Sequence, residues 1–294
     1  MGNSSKHVPV LLKETIDLLE IKTGKKYIDA TLGSGGHTKK ILEAGGLVLG
    51  IDRDPEAIDR TKNDLSNYIK EGKLTLHRGN FDNLKNIALE NNFQEVSGVM
   101  FDLGMSSDQF ESGRGFSFMK DEPLDMRMDP ELGVTAADLV NALSQKELSG
   151  LFSKFAQVER AGEIAGAIVE NRRLHPIKTT KELVEIIGTV PAYRRQKDLH
   201  PATKVFMALR IAVNNEPENL EKSLPQAAGL LTTGGRLAVI SFHQGEDRIV
   251  KQFFRNGRDL GITEIIKKPV MASAEEVELN PRSRSAKLRA GGKL

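Results

Sequence analysis

The chain has 294 residues, 39% hydrophobic and 28% charged, enough for one large or two modest cores and unlike a disordered, collagen-like or membrane-embedded composition. It contains no cysteine, which excludes disulfides, thiolate zinc sites and a thiol nucleophile. Net charge is only +2, but residues 171–210 carry nine Lys or Arg against three acids and residues 280–294 carry five more against none, a segregation that suits a polyanion or a solvated surface.

The chain opens MGNSSKHVPV, without the charged and apolar regions of a secretory leader, and no later run approaches the ~18 apolar residues of a membrane span, so a cytoplasmic location is expected. In HVPVLLKETIDLLEI, the spacing of Leu11, Leu12, Ile16, Leu18 and Leu19 predicts an amphipathic helix, expected to cover one edge of a sheet. Short apolar runs follow in KKYIDA, LVLGID, KLTLHRG, VSGVMFD and, much later, GRLAVISF, with helical patterns between them. That alternation predicts an α/β fold with a mainly parallel, doubly wound sheet. Residues 109–203 separate the fourth and fifth strands, too many for one crossover, and read as helices in TAADLVNALSQKELSGLFSKFAQ, RAGEIAGAIVENRR and TTKELVEIIGTV. They are expected to form an inserted helical domain. The sheet domain is then residues 1–108 and 204–294, with HPATKVFMALRIAVNNEP as its returning helix, ITEII as a last strand and a basic tail.

The first strand runs into DATLGSGGHT, and a glycine turn at that place lets backbone N–H groups approach a ligand. Asp52 ends the second strand 19 residues beyond Gly33, close to the ~20 expected of a carboxylate that grips ribose hydroxyls. A dinucleotide fingerprint needs glycine at the sixth position from Gly33, where Thr38 stands, so NAD is disfavoured. The run D-x-x-x-G-x-G-G, from Asp29 to Gly36, is similar instead to the first motif of S-adenosylmethionine (SAM) methyltransferases, whose loop wraps a cationic, phosphate-free group. Phe81 follows the third strand, placed for an adenine ring or for the core, and Asp102 ends the fourth, where open α/β sheets bind ligands. The six histidines show no ligand spacing, and no metal is expected.

Taken together, HVPVLLKE, GSGGHT, IDRDPEAI, FDLGMSSDQFESGRGFSFMKDEPLDMRMD, HPATKVFMALRIAVN, GGRLAVISFH, EDRIVK and NPRSRSAKLR resemble the bacterial RsmH (MraW) family, from His7 to Arg289. The resemblance implies a Rossmann-like methyltransferase sheet with an inserted helical domain that helps hold RNA. It implies SAM as cofactor, with Gly35, Gly36, His37, Asp52, Phe81, Asp102 and Gln109 around it, and 16S rRNA of the small ribosomal subunit as partner, methylated at N4 of a decoding-centre cytidine. Two stretches depart from the family: FAQVERAGEIAGAI is less basic than usual, and SFHQGEDR replaces SFHSLEDR. Oligomeric state stays open, a homodimer among the options.

Methylation at C5 of cytosine uses a cysteine to activate the ring, and this chain has none, whereas an exocyclic amine attacks the methyl group directly. Alignment and a hydrogen-bond acceptor for the amine must then supply the rate. Asp102 is the candidate acceptor, with Ser106 and Ser107 as alternative acceptors and His243 as another possible contact, all three also suiting turn or capping roles. In RGFSFMKDEPLDMRMD, Arg114, Phe116, Phe118 and Arg127 suit either contact with an unpaired base and phosphate or the packing of the insert. The basic segments 171–210 and 282–293 are expected to hold surrounding phosphates.

Overall fold

The computed structural model describes residues 9–191, 200 and 202–294; His7 of the opening motif and Arg194, Arg195 and Lys197 of the basic segment lie outside the described residues, as does the side chain of Ser107. The chain divides into two units, Met1–Ser106 with Pro217–Leu294, and Ser107–Glu216.

In the first unit the elements run α1 (Leu12–Leu19), β1 (Lys26–Asp29), α2 (Gly36–Glu43), β2 (Leu47–Asp52), α3 (Pro55–Asp64), α4 (Ser66–Lys70), β3 (Leu74–Arg78), α5 (Leu84–Glu90) and β4 (Val96–Asp102). The second unit holds α6 (Ser107–Glu111), α7 (Ala136–Ala142), α8 (Gln145–Ala156), α9 (Ala161–Asn171), α10 (Thr180–Gly188) and α11 (Ala202–Val213). After α12 (Glu216–Leu230) the sheet resumes with β5 (Leu231–Ser241), α13 (Gln244–Asn256), β6 (Ile262–Glu264), β7 (Val270–Met271), α14 (Ala274–Leu279) and β8 (Lys287–Lys293). Strand order is β3-β2-β1-β4-β5-β8-β6, with β7 also paired to β8. The ladders from β3 to β5 are parallel and those of β8 antiparallel. Helices on both faces bury alternate residues of each strand: Ile28, Leu49, Ile51, Val99 and Phe101 lie among α5, α12 and α13, while Tyr27, Val48 and Met100 lie on the α1 and α2 side. Strands covered on both faces read as nearly unbroken apolar runs, which explains LVLGID and VSGVMF.

Three expectations change. α1 does not cover an edge; it packs on β5, an interior strand, with Leu11 and Leu19 wholly buried. The sheet does not end at ITEII, because the tail forms a further strand, β8, inserted between β5 and β6. Its Leu288 and Ala290 are buried, and Arg289, 4% exposed, donates to Asp247 (2.7 Å) and stands 3.7 Å from Glu264. Lys287 also reaches Asp247, at 3.2 Å. At Gly291 a Cβ would stand 2.5 Å from the Phe254 ring, so only glycine lets α13 close on this strand. Finally α11 groups with the helical unit instead of the sheet, since its buried Val205, Phe206 and Leu209 face a helical core in which α8 and α7 are its neighbours.

The helical unit is built from local signals. Thr135, Ser144 and Thr179 each start a helix with a capping box completed by Asp138, Glu147 and Glu182. The less basic stretch FAQVERAGEIAGAI becomes the end of α8 and most of α9, with Ile164, Ala165 and Ile168 turned into the core. Among the described residues no helix is long and apolar enough to cross a membrane.

Candidate functional site

The site is assembled where β1, β2 and β4 end side by side in the sheet. β1 ends in Asp29, 1% exposed, whose carboxylate accepts from the Thr38 hydroxyl (2.7 Å) and the Thr31 N–H (3.2 Å). It therefore ties the glycine loop to α2 and is not among the residues that line the pocket. Burial raises the Asp29 carboxyl to about 6, against the lowering effect of the Thr38 hydroxyl and the Thr31 N–H. Gly33 and Gly35 both have positive φ, at 52° and 72°, which a side chain would strain. A Cβ on Gly33 would find only open space beyond the Thr31 carbonyl 4.0 Å away, so the loop backbone itself borders the pocket. At Gly36 the corresponding position lies 2.2 Å from the Pro9 ring, a close approach that only glycine permits.

Asp52 accepts from the N–H of Gly33 (2.8 Å) and of Asp54 (2.9 Å), so the end of β2 holds both the glycine loop and the start of α3. Its carboxyl is raised by burial, while the same two N–H groups oppose the shift. Phe81, after β3, stands edge-on to Phe101 at 5.6 Å and is half-buried against the core, with the rest of its ring outside it.

Asp102 ends β4 with its backbone N–H on the Thr31 hydroxyl (2.5 Å) and a long bond from the Gly104 N–H (3.4 Å) to its carboxylate. Oδ2 stands 3.8 Å from Nδ1 of the buried His37. The other ring nitrogen, Nε2, is 3.2 Å from the Val10 carbonyl, and a carbonyl only accepts, so Nε2 carries a proton and Nδ1 faces the carboxylate. Burial pushes the Asp102 carboxyl up to about 7; the Gly104 N–H opposes this, and the negative charges of Asp29 and Glu246 add to it. A carboxyl poised near neutrality beside an imidazole can take or hold a proton.

One open pocket is lined by Gly33, Gly36, His37 and Asp102 together with Thr31, Phe242 and Arg282 among others. Of the residues expected at a SAM site, Gly36, His37 and Asp102 line it. Asp52 and Phe81 stand beyond it at the ends of β2 and β3, and Gly35 lies behind the loop against Thr61. Gln109 is on α6, in the other unit, where its carbonyl accepts from Ser112. Phe242 was missed in the sequence although it follows a parallel strand; the strand-end rule applied to Asp102 would have found it.

Of the other residues considered near the amine, one takes a capping role. His243 caps α13 by accepting on Nδ1 from the N–H groups of Gly245 and Glu246, which places its proton on Nε2 and leaves no free base. A Cβ at Gly245 would stand 3.0 Å from that ring, so Gln-Gly at 244 and 245 suits the capped geometry. Ser106 lines the pocket. In the helical unit, Arg114 donates to the carbonyls of Arg127 and Met128, and Arg127 binds Asp125 through two nitrogens and the carbonyls of Pro130 and Leu132. Phe116 is buried, and Phe118 stacks on His200 with ring centres 4.6 Å apart. These four side chains build the insert, the packing reading of that loop. Arg172 likewise donates to the carbonyls of Val140 and Leu143 at the end of α7, and Arg210 pairs with Glu216, which leaves Arg173, Lys178 and Lys181 as exposed cations of that segment among the described residues.

Residues 4–294 match the family model described as the MraW methylase family. The chain is 45% identical to the ribosomal RNA small subunit methyltransferase H of Thermomicrobium roseum, over 99% of this chain and 94% of that protein. Proteins of the same name from Halothermothrix orenii (45% identity, 96% of this chain and 97% of that one) and Syntrophobacter fumaroxidans (43%, 98% and 97%) are similar to it as well. A solved rRNA methylase from Streptococcus thermophilus is similar at 12% identity with a TM-score of 0.47, over 98% of each chain.

Proposed function

Since this chain belongs to the MraW methylase family and is thereby a SAM-dependent methyltransferase, we propose that it methylates N4 of a cytidine in the decoding centre of 16S rRNA in the small ribosomal subunit. The observation that carries this reading is the pocket in which a bare glycine loop, His37 and the near-neutral Asp102 converge. The name of the relatives, ribosomal RNA small subunit methyltransferase H, supports an rRNA acceptor. The finer choice of N4 rests on the resemblance in RGFSF and PLDMRMD and on the missing cysteine.

The donor set fits SAM better than a dinucleotide. Among the described residues no Lys lines the pocket and Arg282 is the one Arg that does, while Asp102 supplies negative charge suited to an ammonium or sulfonium and unsuited to a pyrophosphate. Gly35, Gly36, His37, Asp52, Phe81, Asp102 and Gln109 form the cofactor site in this reading, Asp52 taking the ribose hydroxyls and Phe81 the adenine. When bound, the cofactor supplies a methyl carbon made electrophilic by its sulfonium. The chain aligns the amine with that carbon. When the amine takes the methyl group and the methyl–sulfur bond breaks with its electron pair left on sulfur, one N4 proton would pass to an oxygen of Asp102, which stands 3.8 Å from Nδ1 of His37.

Incubation with SAM labelled in its methyl group and small subunits, naked 16S rRNA or DNA tests this. Label in rRNA of either form is expected. Label in DNA alone contradicts the proposal, and binding of SAM without transfer favours an RNA-binding assembly factor.

A further inference from the structure

The contacts expected of SAM leave one wall of the pocket unused. From Met105 and Ser106 the lining continues to Phe242, Asn280 and Arg282. Phe242, the first residue beyond β5, is half-buried, and its ring lies where a Cβ on Gly104 would come within 2.6 Å. Gly104 thus lets the ring approach the turn that follows Asp102. Arg282 is exposed, on a short 3-10 turn, Pro281–Ser285. That turn is fixed from three sides. The N–H and hydroxyl of the buried Ser283 both donate to the Asn280 carbonyl, at 2.9 and 2.8 Å. Just before it, Glu276 of α14 accepts the Leu11 N–H at 2.8 Å, and just after it β8 is locked to Asp247. The turn so held places Arg282 on the lining of the pocket, whereas the strand cations Lys287 and Arg289, which do not line it, pair with Asp247.

We propose that this wall is the acceptor-nucleotide subsite, with Phe242 carrying the face of the target base and Arg282 clasping a phosphate next to it. The proposal rests on the RNA reading of the pocket. An unpaired base is recognised by stacking on an aromatic ring, and a guanidinium fork matches two phosphate oxygens. A base brought out of its stack carries its own phosphates to the pocket, so the two contacts belong to one nucleotide. Arg282 and Phe242 are positioning residues, and the proton of the amine still passes to Asp102.

The test uses the full-length protein with small subunits as substrate and S-adenosylhomocysteine as calorimetric ligand. Arg282→Ala is expected to raise KM for the subunit about tenfold and to lower the slope of log affinity against log salt by about one, with the cofactor Kd unchanged. Arg284→Ala removes an equal charge two residues away that does not line the pocket, and is expected to change KM less than threefold. Phe242→Leu is expected to lower kcat at least tenfold with unchanged cofactor Kd, and Phe242→Tyr to restore it. Weaker cofactor binding by Arg282→Ala at unchanged subunit KM assigns Arg282 to the methionine carboxylate and overturns the proposal, as do equal effects of the two arginine variants. If the wild-type protein methylates subunits and Arg282→Ala does so as well as wild type, the subsite alone fails. If the wild-type protein transfers no methyl group to RNA, the functional reading fails and the subsite with it.

Discussion

Asp102 combines three properties at one atom: it ends the strand at the switch point, it borders the open pocket, and burial holds its carboxyl near 7. A carboxylate must be ionised to receive the amine proton, so kcat/KM is expected to rise with pH through about 7 and level off above it, and Asp102→Asn is expected to lower turnover at least a hundredfold and abolish that rise. Stability moves the other way. A carboxyl whose value is raised on folding favours the fold fully below its unfolded value of 3.8, and the contribution is lost as pH climbs through about 7. Asp102→Asn is therefore expected to stabilise the cofactor-free protein at pH 8 by up to about 4 kcal/mol, at ~1.4 kcal/mol per pH unit, and to do little at pH 4, as chemical denaturation at the two pH values would show. That Asp52 and Asp102 end strands of the parallel sheet was legible, because such strands deliver their last residues to a common edge. Arg282 was legible only as one cation in a basic tail, because the turn that holds it depends on Asn280, Ser283 and a strand not recognisable from its own residues.

That strand is the element least visible in the sequence. KLRAGGK has three cations and two adjacent glycines, a composition that reads as solvated, yet Lys287 and Arg289 are answered by Asp247 and Glu264, remote in the chain, and Lys293 donates to the Leu260 carbonyl. Burial alone would raise the Asp247 carboxyl, but the Arg289 guanidinium and the Lys287 ammonium outweigh it and hold the carboxyl below the usual range. Removing this carboxylate leaves Arg289 buried with only the more distant Glu264. Asp247→Ala is expected to cost about 3 kcal/mol of unfolding free energy in urea, and a loss under about 0.5 kcal/mol would show that the pair does not anchor β8. The loop RGFSFMKDEPLDMRMD gives the complementary lesson. Its arginines and aromatics are the residue types of RNA recognition, but Met126 has a left-handed φ of 61°, and Asn214 pins both Met126 and Met128 to the end of α11. An irregular backbone needs side-chain donors of its own, and a sequence does not show whether a guanidinium serves a phosphate or a carbonyl.

At the scale of the molecule, the division into a sheet unit and a helical unit was readable from the hundred-residue gap between apolar runs, although α11 falls on the helical side. The charge segregation was readable too, but its meaning was not. Arg172, Arg210, Lys287 and Arg289 are consumed by carbonyls and carboxylates, so fewer cations face a polyanion than composition suggests. The central claim is the chemistry at the acceptor: direct transfer to an amine, by a chain with no thiol to activate a ring carbon. The most direct test is mass spectrometry of nucleosides and mapped fragments from small subunits treated with the protein and SAM bearing a deuterated methyl group. The account predicts one labelled nucleotide, a cytidine in the decoding centre with the methyl group on N4. A label on C5 of cytosine, on another base or outside the decoding centre would contradict it.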